Sequence, residues 1–356
     1  MVSVLVMADD LTGALDSAAA FCGPDRRVAV AVDRRGIADA RACDPHVLAV
    51  NTDTRALRAD AAAGIVADLW GELADLAPRI VFKKVDSRLQ GHAGHEAAAL
   101  AMVSGRAEML VCPAVPDMGR VVAGAQLCGT GIERPIELSG HFPPGSVVDA
   151  AGEAALDHLA ARIVAAGDRT LAVGARGLAR AVARALHRDA GDEPRPLPPL
   201  LPMAVAVGSR DRITDAQVTR LIADVRDAAY VAAPGGKVPA CAIEDVAALL
   251  VQLVDDGTDL PEQVAAARFA RGIARIVEQW RPRSLLLSGG ATALAVLDAL
   301  GIRAVLVQGE AAPAIPLCSA PRWPDMQILT KSGGFGEPAA LSALVAGAAQ
   351  AGVLAA

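Results

Sequence analysis

Short apolar, β-branched runs alternate with longer stretches of helical spacing along most of this 356-residue chain, and that alternation constrains its fold more than any other feature. Residues 2–8, 28–32, 47–50, 80–83 and 109–112 have the length and composition of buried strands. Between them, 12–21, 58–76 and 93–104 repeat apolar residues at helical intervals. Strand, helix, strand in succession predicts βαβ units and a mostly parallel sheet. The pattern breaks once. Residues 191–202, GDEPRPLPPLLP, hold five prolines in twelve positions, which fit neither a helix interior nor a central strand. After the break the pattern restarts with strands at 203–207, 284–287, 304–307 and 327–329 and helices at 215–227 and 264–279. The expected class is therefore α/β. Residues 1–190 and 203–356 form two α/β domains with mostly parallel sheets, joined by a Pro-rich linker at 191–202, and the active site is expected in the interdomain cleft.

Composition limits the function. With 53% hydrophobic and 21% charged residues there is ample material for packed cores. A net charge of -6 argues against nucleic acid as a partner, since such affinity rests on clustered Lys and Arg, and against docking on an anionic membrane. The first residues have no basic segment, and Asp9 and Asp10 interrupt their apolar run early, which disfavours a leader peptide. The apolar, Ala-rich stretch 341–356 is short for a bilayer span and reads as a packed terminal helix. Six scattered cysteines without a C-x-x-C pair suggest reduced thiols in a cytoplasmic protein. A homo-oligomer is compatible with all of this.

Polar residues gather just after the expected strands, where open α/β sheets bind ligands. In the first half these are Asp9 and Asp10, then Asn51 to Arg55, then Lys83, Lys84, Asp86, Ser87 and Arg88, and finally Asp117 and Arg120. Carboxylates there can hold substrate hydroxyls or take a proton, and Arg or Lys can bind a substrate carboxylate. Each residue has a plainer reading as a turn or cap. Asp10 with Thr12 could simply cap the next helix. In the second half the strands are followed by small residues: Gly208 and Ser209, then Gly289, Gly290, Ala291 and Thr292, then Ser332, Gly333 and Gly334. Glycine lets backbone N–H groups approach a phosphate. One such loop is as readily a tight turn, but three together suggest a polyphosphate site.

Other chemistries fit poorly. No P-loop is present, since Gly235-Gly236-Lys237 is followed by Val238. There is also no strand-linked G-x-G-x-x-G and no G-x-S-x-G elbow. His92, His95 and Glu96 lack the H-E-x-x-H spacing of a zinc site, and no metal ligands are assigned.

The motifs together resemble the four-carbon acid sugar kinases, formerly a domain-of-unknown-function family. The resemblance runs through ADDLTGA at 8–14, NTDTR at 51–55, KVDSRLQGHAGHE at 84–96 and PAVPDMGR at 113–120. It continues with GSRDRITDAQ at 208–217, GGATA at 289–293 and TKSGGFG at 330–336. It implies an N-terminal sugar-acid-binding domain, a C-terminal nucleotide-binding domain, and phosphorylation of threonate, erythronate or 3-oxo-tetronate at the terminal hydroxyl. By resemblance Asp10, Arg55, Lys84, Asp86 and Arg120 surround the sugar acid, with Asp9 and Ser87 beside them in the same motifs. Ser209, Gly289, Gly290, Ala291, Thr292, Gly333 and Gly334 surround ATP, with Mg²⁺ accompanying the nucleotide. Within this set Asp86 or Asp10 would accept the hydroxyl proton, Asp86 being preferred for its place beside Lys84. Arg55, Lys84 or Arg120 would hold the substrate carboxylate. Two departures stand out. The family's D-S-T-L-R-G-N reads Asp86-Ser87-Arg88-Leu89-Gln90-Gly91-His92 here, and its usual acid after Gly-Gly is Ala291. They keep open a kinase for a different sugar acid, or a binding relative with lost catalysis.

Overall fold

A computed structural model describes residues 2–187, 196–240 and 246–355, and the chain divides into two compact units, Met1–Glu193 and Pro194–Ala356. Unit 1 begins with β1 (Val4–Ala8), α1 (Leu11–Ala19), β2 (Val28–Ala31), α2 (Ile37–Ala42), β3 (Val47–Asn51), α3 (Ala59–Leu73), β4 (Ile80–Lys84), α4 (Ala93–Ser104) and β5 (Glu108–Cys112). A small antiparallel sheet follows, β6 (Arg120–Ala123), β7 (Gln126–Gly129) and β8 (Ile136–Glu137). The unit closes with α5 (Glu153–Ala166), β9 (Thr170–Gly174) and α6 (Arg176–Leu186). Its main sheet runs β2-β3-β1-β4-β9-β5, parallel throughout. Strands β1 to β4 are buried at every position, which is why they read as unbroken apolar runs rather than alternating ones.

Unit 2 contains β10 (Met203–Val207), α7 (Arg212–Asp224), β11 (Ala228–Pro234), β12 (Ala248–Val254), α8 (Glu262–Trp280), β13 (Ser284–Ser288) and α9 (Gly290–Ala299). It ends with β14 (Ala304–Ala312), β15 (Ile315–Ala320), β16 (Trp323–Lys331) and α10 (Ala340–Ala355). Strands β11-β12-β10-β13-β16 are parallel, and β15 and β14 extend the sheet antiparallel. A core of Val205, Leu250, Leu286, Leu317, Leu329 and Leu344 packs between this sheet and its helices. Burying each such side chain contributes about 1.5–3 kcal/mol.

The two units use one topological device. In each, the first strand lies at the centre, its next two strands lie on one side, and the chain then crosses to the other side. Beyond the carboxyl ends of β1 and β4, and again of β10 and β13, the connections therefore diverge and leave a crevice.

The expected linker stops short. Residues 188–195 lie outside the described residues. The rest of it belongs to unit 2, where Leu197 N–H donates to Glu310 O (2.9 Å) and Leu200 N–H to Ser284 Oγ (2.7 Å). Leu197 and Leu201 pack on the core. Cys241 also lies outside the described residues, and the other five cysteines form no disulfide with one another. Among the described residues no helix is long and apolar enough to cross a membrane.

Candidate active site

The crevice of unit 1 is built by three loops. Asp9 and Asp10 follow β1, Arg55 lies four residues beyond the end of β3, and Lys84 ends β4 with Asp86 just after. Backbone bonds zip the loops together: Thr52 N–H donates to Ala8 O (2.8 Å), and Thr54 and Arg55 N–H to Asp9 O (3.1 and 3.3 Å). This seats the Arg55 guanidinium among three carboxylates. Its Nε and Nη2 donate to Asp9 Oδ2 (2.8 Å) and Oδ1 (3.0 Å), and Nη2 also to Asp10 Oδ1 (2.8 Å). Asp86 Oδ2 lies 3.8 Å from the same nitrogen. Burial alone would weaken the charge of Arg55, but Asp10, Asp9 and Asp86 outweigh it and raise its pKa. Burial likewise pushes Asp9 up, and the Arg55 hydrogen bonds and charge, with Lys83 and Lys84, bring it below the ordinary carboxylate value.

The three acids are not equivalent. Asp9 is clamped by Arg55 through both oxygens. Asp10 is the N-cap of α1: Oδ1 accepts from Gly13 N–H (3.0 Å) and Oδ2 from the Thr12 hydroxyl (2.6 Å). Asp86 Oδ1 accepts from the N–H groups of Arg88 (2.8 Å) and Gln90 (3.4 Å). Its Oδ2 receives no hydrogen bond among the described residues, and the Arg55 contact at 3.8 Å is too long for one.

Cations complete the cluster. A Cβ at Gly13 would lie 2.5 Å from Asp10 Oδ1 and 2.9 Å from Lys84 Nζ, so the lysine reaches over the first turn of α1 beside Asp10. Lys84 is 5% exposed, and its ammonium has no hydrogen-bond acceptor among the described residues. Arg120 donates to Ser87 Oγ (2.6 Å) and Thr130 O (2.8 Å). Burial and then repulsion from Arg88 lower its pKa against the pull of Asp86, which marks Arg88 as a close neighbour.

Lys83 does not join the site. It is the penultimate residue of β4, its side chain leaves by the opposite face from Lys84, and its Nζ lies 2.7 Å from Glu96 Oε2 of α4 with both side chains almost wholly buried. Glu96 is thus the partner of a core lysine. Asp117 is likewise held away, on Arg176 (3.3 Å) and Arg180 (3.0 Å).

In unit 2 the three glycine loops meet. A Cβ at Gly289 would approach Ser209 N and Thr292 Oγ1 (3.3 and 3.5 Å). A Cβ at Gly333 would fall 2.0 Å from Ser209 Oγ, so any larger residue there displaces the Ser209 hydroxyl. Thr214 Oγ1 ties the set by donating to Gly333 O (2.9 Å) while lying 3.3 Å from Ser209 Oγ. The Gln217 amide holds the last loop from α7, donating to Phe335 O (2.9 Å) and Glu337 O (3.0 Å). Gly290, Ala291 and Thr292 form the first turn of α9, whose amide end faces this meeting point. Asp211 caps α7, and its Cβ lies 3.4 Å from where a Cβ at Gly333 would stand. Gln217, Thr214 and Lys331 were not singled out in the sequence, though all three sit inside motifs quoted above. Their signal is position: one or two helical turns, or one residue, from a glycine loop.

A conserved-domain model described as a sugar-binding N-terminal domain matches residues 4–140, and one described as a nucleotide-binding C-terminal domain matches 204–341. A D-threonate kinase of Cupriavidus necator is 28% identical over 95% of this chain and 96% of its own. Another of Salmonella typhimurium is 27% identical over 95% and 96%. The crystal structure of a Haemophilus influenzae protein of the DUF1537 family superposes with a TM-score of 0.69 at 18% identity, covering 97% of this chain and 99% of that one, which shows a shared fold. The fold and the two matched domains define a bipartite α/β protein with a sugar-binding and a nucleotide-binding part. The chain belongs to the four-carbon acid sugar kinase family.

Proposed function

We propose that the protein is an ATP-dependent kinase that phosphorylates the terminal hydroxyl of a small four-carbon acid sugar such as threonate, erythronate or 3-oxo-tetronate. The observation that carries this reading is the unequal engagement of the three acids around Arg55: among the described residues, Asp86 alone of the three keeps an oxygen without a donor. The kinase names of the relatives support it. Lys84 supplies the cation for the substrate carboxylate, with Arg120 and Ser87 alongside. Asp86 Oδ2 accepts the hydroxyl proton as the oxygen attacks the terminal phosphoryl group. Arg55 holds Asp9, Asp10 and Asp86 at fixed spacing, so its role is positioning rather than binding the carboxylate. Ser209, Gly289, Gly290, Ala291, Thr292, Gly333 and Gly334 hold the nucleotide phosphates through backbone N–H groups and hydroxyls. Positioning and electrostatics then carry the transfer.

Magnesium fits as an ion carried by the nucleotide. Among the described residues no group of three or more His, Cys, Asp or Glu forms a metal cage, and Asp211 with the Ser209 hydroxyl is the oxygen donor set at the loops. Such an ion would neutralise phosphate charge.

The test is a panel of four-carbon and longer sugar acids with ATP, following ADP release. Turnover on at least one acid is expected, and Asp86→Asn should lower kcat by about 10²–10⁴-fold with ATP binding unchanged. Full turnover in that variant removes Asp86 from the base role. Tight ATP binding with no turnover on any panel member favours the binding relative that Ala291 keeps open.

A further inference from the structure

Lys331 ends β16 at the edge where the glycine loops meet, and it is among the most deeply buried side chains of unit 2, with 1% exposure. An ammonium has three donors. One goes to Ser332 O at 2.9 Å, and within the described residues no other hydrogen bond or ion pair engages it. The lysine is stitched to two loops. Its carbonyl accepts from Gly289 N–H (2.9 Å), and a Cβ at Gly336 would lie 3.9 Å from its Cε. Ser288 pairs with Lys331 in the β13–β16 ladder, so the two side chains leave the sheet by the same face. The Ser288 hydroxyl is fully buried and has no hydrogen-bond partner among the described residues. Two adjacent buried groups with unused donors cost stability unless an acceptor arrives.

We propose that Lys331 and the Ser288 hydroxyl bind a phosphoryl group of the nucleotide held by unit 2. This rests on the reading of unit 2 as nucleotide-binding. Sequence motifs supplied backbone donors for the phosphates; Lys331 adds a full positive charge. It also links binding to protons. Burial pushes the Lys331 ammonium down to about 8, against the opposing charge of Asp211. Among the described residues Asp211 is the charged group that acts on it; Ser288 on β13 is neutral, Gln217 on α7 is an amide, and the first turn of α9 contains no acid. An arriving phosphate favours the charged form, so binding above about pH 8 takes up a proton, and affinity falls as pH rises through that range.

Isothermal titration of the full-length protein with ADP, in buffers of differing ionisation heat, reads this directly. At pH 9, where ADP itself is fully deprotonated, the wild type should take up most of one proton per ADP, and the uptake should vanish toward pH 7, where Lys331 is already largely charged. Lys331→Met should abolish the uptake and weaken binding at pH 7 by about ten- to a hundred-fold. Lys331→Arg should bind ADP without proton uptake, because guanidinium stays charged. Circular dichroism melts confirm that each variant is folded, and the wild-type proton count needs no variant. No uptake by the wild type at pH 9, or uptake and affinity unchanged in Lys331→Met, overturns the proposal and leaves nucleotide binding standing. A wild type that binds no ADP at any pH overturns both.

Discussion

Asp10 does two jobs with one carboxylate. It caps α1 through Gly13 and Thr12 and also faces Arg55 at 2.8 Å. The two jobs separate by substitution. Asp10→Asn keeps a capping side chain but loses the charge, and is expected to cost stability little while lowering turnover. Asp10→Ala loses both and should cost about 0.5–2 kcal/mol in urea unfolding. If both variants lose activity only in proportion to stability, Asp10 is a cap alone. Gly13→Ala probes the same turn, since its methyl would meet Asp10 Oδ1 at 2.5 Å. It should destabilise the protein by about 1–3 kcal/mol and lower kcat/KM further. At this scale the sequence was legible as to which residues gather, because polar residues after a buried strand stand out against apolar runs. It did not reveal that Arg55 is already committed to carboxylates. Those partners are 46 and 45 residues away, and only the folded sheet brings them within reach.

Strand parity decides the fate of two adjacent lysines on β4. Lys84 goes to the crevice and Lys83 to Glu96 in the core. Their neighbouring positions in the chain look alike, and nothing local tells which face of β4 meets α4. The pair predicts an asymmetry. Glu96→Gln leaves a buried ammonium uncompensated and should cost about 3–5 kcal/mol, whereas the double change Lys83→Met with Glu96→Leu should lie near neutral. Urea midpoints of the two variants check this, and equal losses would show that the pair is not held by mutual charge. The alternation gave the class and the strands that carry the site loops, but β9, β11 and β12 were not read, although β12 is a largely apolar run of seven residues. β14 and β16 were read only as the shorter runs 304–307 and 327–329, and β15 (Ile315–Ala320), which pairs antiparallel with both, was missed because it has a proline and a cysteine in place of a β-branched run. The β6–β8 sheet was missed for a similar reason, its strands being short and half-polar.

Across the whole molecule, each unit gathers its polar residues at the crossover of its own parallel sheet, leaving the strands themselves apolar. Acid sensitivity follows from the buried acids. Asp9 is held below its ordinary 3.8, so the stability it contributes is complete above about pH 5 and is lost as pH falls through its lower folded value. Asp9→Asn should therefore flatten the dependence of the urea midpoint on pH below about 4, and an unchanged slope there would assign acid unfolding to other groups. One further consequence comes from Arg55. Its carboxylate partners stand after β1 and β4, while it follows β3 itself, so no segment shorter than residues 9–86 can assemble the set. Ion pairs of such long reach close after the sheet has zipped together. Removing the guanidinium with Arg55→Ala should then leave the refolding rate nearly unchanged and speed unfolding, so the cluster acts as a late latch on the finished domain.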